Sequence, residues 1–426
     1  MIAAAPGLEA GDAFAAVVAG AGVLLLVGVA ALSHEERQGL SAPVVYLAAG
    51  IAGSIFLGLV GVGRLDPIDD ARAIERVTEF ALIIALFATG LRIHPRLEWR
   101  RWRPVAMLLV VGLALTVLAG AGLGAALLGL PAGVAIILAA ALAPTDPVLA
   151  GDIGVAPPDE EEAADRGLTH GRFALTGEAG LNDGLVYPLF LLGVLIVSEG
   201  GAAWLGTWAL ADVGYALALA AVVGVAAGYG LAAALLPLHE RGLLASGAEH
   251  FLAAAAAVGI YGAVQVADAY GFVAVFVAGV AFRRYEAGHD YNRQLHDGAA
   301  LLMRFGELIV VVLLGSMVTL DGIAAPGLDG WLLALTVIVL VRPIVGFVCL
   351  IGSGLPRNER ALVSWFGVRG VATIYYSAVA VTGGVLSDAD ARLVVWTALA
   401  TVALSVVVHS VTAIPVNRRH GAARER

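Results

Sequence analysis

The chain has 426 residues, of which 60% are hydrophobic and only 14% charged, with a formal net charge of −9. A soluble domain carries roughly a quarter charged residues, so this composition excludes a soluble globular protein and describes a polytopic membrane protein. All 25 basic residues are arginine, which excludes a titrating lysine amine, and the single Cys349, set in an apolar run, excludes an internal disulfide and reads as a small buried hydrophobe.

Apolar runs near the ~20 residues that cross a bilayer predict thirteen helices, at about 13–32, 42–60, 73–91, 104–128, 131–153, 168–197, 203–236, 248–267, 270–283, 297–319, 330–353, 358–383 and 391–413. They are numbered spans 1–13 here. The connections are brief, so residues 1–426 are expected to form one transmembrane domain with no soluble regulatory domain. Span 1 follows Glu9 and Asp12 without the basic stretch that opens a signal peptide, so it is expected to be retained with the N-terminus outside. The arginines then distribute as the positive-inside rule requires. Arg37, the run Arg92–Arg103, Arg166, Arg241, Arg283, Arg284, Arg293, Arg357, Arg360 and the C-terminal tail fall on the cytoplasmic side, and mainly Arg64, Arg72, Arg76 and Arg392 fall outside. The acidic run Asp159–Glu162 lies in a cytoplasmic loop and reads as solvated, since acidic residues weigh little in that rule.

Glycine is abundant, at 54 residues, and small residues let membrane helices approach closely. The pair Gly224 and Gly228 in span 7 has the spacing of such a contact.

Span 5 is interrupted by Pro144-Thr145-Asp146-Pro147, and span 12 by Gly367-Val368-Arg369-Gly370, with Thr373 just beyond. These spans are seven apart in order, which fits two inverted six-helix repeats, spans 1–6 and 8–13, joined by span 7. Sequence identity between the halves is not evident, so order alone carries the repeat. Paired interrupted spans point to a transporter's midplane site. Broken helices leave positive partial charge at N-terminal ends and negative at C-terminal ends. Asp146 can offset the first and Arg369 the second, and helix-end compensation is the plain reading for both.

Span 6 carries Glu178, Asn182 and Asp183 within Gly177–Gly184. Glu178 and Asn182 share a helix face. Polar groups at this depth line a wet cavity or meet partners, and ionisable groups inside a membrane usually mark an ion or proton path. A carboxylate is both a hard oxygen ligand and a proton acceptor, so a cation and H⁺ compete for it, and partial desolvation favours the protonated form. Asp183 is the candidate for that shared group; a structural acid held by an arginine is the alternative. In span 10, Arg304 and Glu307 are three apart and can pair locally. In span 11, Arg342 precedes Pro343 and needs an acid; Glu178 is its leading partner, with Arg369 competing for that acid. His409 in span 13 reads as a packing residue. The sequence holds neither a zinc-spaced His/Cys cluster nor a nucleotide-binding glycine motif, so no cofactor and no nucleic-acid partner are expected.

The ordered set Pro144–Pro147, Glu178 with Asn182-Asp183, Arg342-Pro343, and Phe366–Gly370 followed by Tyr375-Tyr376 resembles the NhaP-type monovalent cation:proton antiporters, the branch that includes animal sodium–proton exchangers. Phe87–Leu91 is similar to that family's span 3 motif, and the likeness covers nearly the whole chain. The resemblance implies an all-α fold of thirteen helices with crossed broken spans 5 and 12. It implies a dimerisation scaffold, mainly spans 1–3 and 7–10, and a moving core, mainly spans 4–6 and 11–13, in a homodimer. It implies Asp183 as the carboxylate for the transported metal ion and proton, Thr145 as an oxygen near the unwound span 5, Asp146 and Asn182 as residues shaping the site, and Glu178 in an ion pair with an arginine. Ala179 and Ala88 stand where the family often has a serine and an acid; Thr89 and Thr176 are candidates to compensate, with Glu307 a further secondary candidate.

The function expected is electroneutral exchange of Na⁺ or Li⁺ for H⁺ by alternating access, without enzyme activity, in the plasma (inner) membrane. K⁺/H⁺ exchange by the same machinery is the nearest alternative. A passive channel and an intramembrane hydrolase using Asp146 and Asp183 as a pair are more distant ones.

Overall fold

The computed structural model describes residues 41–59, 64–93, 98–146, 169–244, 249–287, 289 and 293–424, with scattered positions between 19 and 31; the side chains of 169, 249 and 414–424 are excepted. Span 1 as a whole, Pro147, the acidic loop 157–165, Arg37, Arg96, Arg166 and the side chains of the C-terminal arginines lie outside the described residues.

Among the described residues every regular element is helical. Among those residues seven helices are long and apolar enough to cross a membrane: Ala42–Leu59, Trp99–Leu128, His170–Ser198, Leu205–Glu240, Arg293–Met317, Gly327–Cys349 and Asp388–Ala413. They occupy spans 2, 4, 6, 7, 10, 11 and 13. Shorter apolar helices, Ala132–Leu142, His250–Gln265 and Val371–Thr382, occupy spans 5, 8 and 12. Spans 3 and 9 are Ala71–Arg92 and Gly271–Glu286. Backbone amides and carbonyls have no water to pair with in hydrocarbon, so an all-helical chain is the form such a composition takes.

The departures from the expected boundaries have local causes. Span 6 divides into Thr169–Leu185 and Tyr187–Ser198 because Pro188 has no N–H to donate. Span 12 divides into Arg357–Trp365 and Val371–Thr382 around the glycine pair. Span 13 continues to Arg424, past the expected end near 413, through a tail containing alanine and arginine, both good helix formers. Spans 4, 7 and 11 each contain a widened π-type stretch, at Leu108–Gly112, Trp208–Tyr215 and Val337–Val341.

Spans 2, 3, 7, 8, 9 and 10 pack mainly with one another, as do spans 4, 5, 6, 11, 12 and 13. The two groups meet chiefly where span 3 lies on the second half of span 12 and span 9 lies on span 6. Within the first group spans 3 and 9 cross at bare backbone: a Cβ on Gly90 would stand 2.4 Å from the Phe276 carbonyl oxygen, and one on Gly279 would stand 2.5 Å from that of Phe87. The expected span 7 contact is present too, since a Cβ on Gly228 would stand 2.3 Å from the Ala278 carbonyl oxygen of span 9. Lipid gives helices no hydrophobic reason to associate, so this close backbone approach is where their dispersion contact is gained.

Candidate ion-binding site

The interruptions of spans 5 and 12 lie against each other. The Asp146 N–H donates to the Val368 carbonyl at 2.8 Å, and the Val371 N–H donates to Asp146 Oδ2 at 2.6 Å. Val371 opens the second helix of span 12, so the carboxylate sits at a positive helix end. The Arg369 guanidinium does the converse: its Nη1 donates to the carbonyls of Ala143 and Pro144, at 2.7 and 3.0 Å, just past the C-terminal end of Ala132–Leu142. The Arg369 N–H donates to Ser405 Oγ of span 13 at 2.8 Å. Arg369 is 0% exposed. Each charge thus meets backbone groups that the opposite break leaves without a helical partner.

Span 6 closes a triangle with these breaks. Asn182 Nδ2 donates to Thr145 Oγ1 at 2.7 Å, tying span 6 to span 5. The Tyr376 hydroxyl donates to the Asp183 carbonyl oxygen, tying span 6 to span 12. Thr145, Asp146, Asn182 and Asp183 are all buried, with Asp183 0% exposed. Neither carboxylate oxygen of Asp183 has a hydrogen-bond partner among the described residues, and neither does Asn182 Oδ1. A charge taken out of water without a partner is costly, and Asp183 is buried with neither oxygen paired among the described residues. A carboxylate in that position is stabilised by taking up either a proton or a cation.

Glu178, on the same span, is otherwise engaged. Both its oxygens accept from Arg342, Oε1 from Nη1 and Oε2 from Nη2 at 2.7 Å, and Nη2 also donates to the Val363 carbonyl at 3.1 Å. Arg342 begins the helical segment after the widened stretch of span 11. Of the two arginines open to Glu178 in the sequence, Arg342 makes the pair and Arg369 faces the span 5 carbonyls. Neither guanidinium is hydrogen-bonded to the Asp183 carboxylate.

The secondary candidates are placed less centrally. Thr89 is buried in span 3 and its hydroxyl donates to its own helix, at the Ala85 carbonyl. Thr176 is buried on span 6, seven residues before Asp183. On span 10, Arg304 is exposed and Glu307 buried. His409 packs against the Trp365 and Phe366 rings and sits within hydrogen-bond distance of Ser405 and of the Trp365 carbonyl. The Cys349 thiol donates to the Met107 carbonyl at 2.8 Å. Two contributors were not assigned from sequence, Tyr376 as the hydroxyl on the Asp183 backbone and Ser405 as the acceptor for Arg369. A tyrosine five residues past the Val371 helix start was readable as a site contact; a lone serine in span 13 carried no such signal.

The family profile described as sodium/hydrogen exchanger, transmembrane, matches residues 22–417. Among curated relatives, the K⁺/H⁺ antiporter NhaP of Alkalimonas amylolytica is 26% identical over 364 residues, covering 83% of this chain and 58% of that protein. The glutathione-regulated potassium-efflux system protein KefC of Klebsiella pneumoniae strain 342 is 27% identical over 365 residues, covering 81% of this chain and 52% of that protein. The chain therefore spans about half the length of these curated relatives. Among solved structures, the sodium proton antiporter MjNhaP1 of Methanocaldococcus jannaschii at pH 8 matches with a TM-score of 0.70 at 19% identity, covering 93% of this chain and 97% of that one. An electron-microscopy structure of the same antiporter matches with a TM-score of 0.68. The fold is the one these structures have.

Proposed function

The chain belongs to the sodium/hydrogen exchanger family, and on that footing we propose that it exchanges a monovalent cation, Na⁺ or Li⁺, for a proton through Asp183. The observation that carries this reading is a buried carboxylate with both oxygens unpartnered among the described residues, set beside the meeting point of two broken helices. Asp183 takes a cation from one side of the membrane and releases it on the other, where a proton replaces it. The empty, charged carboxylate crosses poorly because exposing an ion to the barrier is costly, and this penalty couples the two fluxes.

Thr145 and Asn182 contribute oxygens to the cation. Asp146 and Arg369 hold the two broken ends in register, and Glu178 with Arg342 braces span 6 against span 11. One exchangeable carboxylate accounts for one cation per proton, hence electroneutral exchange. Spans 4–6 and 11–13 form the moving core, and spans 1–3 and 7–10 the scaffold and homodimer face. The two packing groups and their shared boundary at spans 3, 6, 9 and 12 support that division. Thirteen spans in two inverted repeats, a plasma-membrane location, an outer N-terminus and a cytoplasmic C-terminus complete the proposal.

K⁺/H⁺ exchange at the same site is the second reading, favoured by the relatives named as a K⁺/H⁺ antiporter and a potassium-efflux protein. Purified protein in liposomes with a pH-sensitive dye inside, given Na⁺, Li⁺ or K⁺ gradients in turn, separates them. A pH change driven by Na⁺ and Li⁺ supports the main reading, one driven by K⁺ alone supports the second, and cation flux without proton movement rejects both.

A further inference from the structure

We propose that Thr373 is an additional ligand of the transported cation, its hydroxyl oxygen facing the Asp183 site; this rests on the antiport reading. Thr373 is 0% exposed, and its Oγ1 has no hydrogen-bond partner among the described residues. Leaving a hydroxyl buried and unpaired is unfavourable, and such a group in a folded protein needs a reason.

Several other span threonines pair within their own helix. A threonine inside a helix ordinarily donates to the carbonyl four residues back, as Thr78 does to Ile74, Thr89 to Ala85, Thr116 to Gly112 and Thr401 to Thr397, at 2.6–2.8 Å. Four residues before Thr373 stands Arg369, inside the break and outside the helix that begins at Val371. The broken geometry thus removes the usual acceptor.

Placement supplies the rest. Val371, two residues earlier, donates its N–H to Asp146 of span 5, and Tyr376, three residues later, donates its hydroxyl to the backbone of Asp183 in span 6. At a rise of about 1.5 Å per residue, Thr373 lies about 3 Å past the first contact and about 4.5 Å before the second along the helix axis. Positions 373 and 376 are three apart and share a face, so the hydroxyl is on the side of span 12 that touches Asp183. Three further oxygens of span 6 lack partners among the described residues, Asp183 Oδ1 and Oδ2 and Asn182 Oδ1. Together with Thr373 Oγ1 they form a set of hard oxygens from spans 6 and 12, which is the donor chemistry that alkali-metal cations take.

The test compares wild type with Thr373→Val, which keeps the shape and removes the oxygen, and with Thr373→Ser, which keeps the oxygen. Thr397→Val serves as the control, since Thr397 Oγ1 is likewise unpartnered among the described residues but stands beside Gly330 of span 11. Half-saturating cation concentration and maximal rate are measured in liposomes with each of Na⁺, Li⁺ and K⁺. Thr373→Val should raise the half-saturating concentration about tenfold or more, the scale of one charge-assisted contact, while Thr373→Ser and Thr397→Val stay close to wild type. A Thr373→Val protein with wild-type half-saturation for every cation, or a Thr397→Val protein shifted as far, overturns the assignment. If Thr373→Val does not fold, Thr373→Ala is read instead by the rise in melting temperature that each cation produces in detergent. Loss of that rise supports the ligand role, and its persistence rejects it. A wild type that exchanges no cation, yet is stabilised by one through Thr373, would refute the antiport reading and leave the ligand standing.

Discussion

The Glu178–Arg342 pair is buried on both sides. Removing one member leaves an uncompensated charge, which costs about 3–5 kcal/mol, whereas replacing both with apolar groups of similar volume is often near neutral. Arg342→Ala should therefore lower the melting temperature in detergent strongly while changing the half-saturating cation concentration little, because the arginine is not on the Asp183 carboxylate. The double change Glu178→Leu with Arg342→Met should recover much of the lost stability. Arg342→Ala protein that melts like wild type but binds cation poorly would place the arginine in the site itself. The presence of acids at depth was legible because ionisable residues are rare in apolar runs: Asp146, Glu178 and Asp183 were each visible for that reason. Which arginine meets Glu178 was not, since the partners are 164 residues apart and Arg369 had equal charge and comparable depth. Thr373 was equally hidden, because a helix threonine normally satisfies itself and the acceptor four residues before Thr373 falls inside the break.

At the scale of elements, two broken helices are held by charges placed on each other's exposed backbone. Asp146 accepts from the first amide of Val371–Thr382, and Arg369 donates to carbonyls beyond Leu142. Asp146→Asn keeps an oxygen that can accept from Val371, whereas Asp146→Ala leaves that amide buried and unpaired, a cost of about 1–3 kcal/mol. Thermal unfolding should accordingly rank wild type and Asp146→Asn close together, with Asp146→Ala clearly below; equal melting of all three would remove the capping role. Pro144 and the glycines around Arg369 made both breaks readable from sequence, since neither proline nor paired glycines continue a helix comfortably. Their mutual contact was not readable beyond the matching of order. The crossing of spans 3 and 9 belongs to this scale too. Gly279→Val forces a side chain onto the Phe87 carbonyl and should cost about 1–3 kcal/mol by overpacking. A melting temperature unchanged by that substitution would mean that the two backbones are not in contact.

For the whole molecule, composition and run length were enough to place the chain in the membrane, because hydrocarbon leaves the backbone few choices. Helix ends were less legible, as Pro188 in span 6 and the continuation of span 13 show. The proposed electroneutral exchange is tested by its response to membrane potential. A clamped potential of about 100 mV biases a transport step that moves one net charge by about 2.3 kcal/mol. One-for-one exchange moves none, so the pH difference reached at equilibrium for a fixed cation gradient should not change when the potential is clamped at zero or at that value. A pH difference that follows the potential would require unequal numbers of cations and protons. The most direct measurement compares wild type and Asp183→Asn, matched for folding by size and melting temperature, for cation-driven pH change in liposomes. Wild type should exchange, and Asp183→Asn should be silent with every cation; exchange by Asp183→Asn at the wild-type rate would contradict the central claim that this one carboxylate carries both ions.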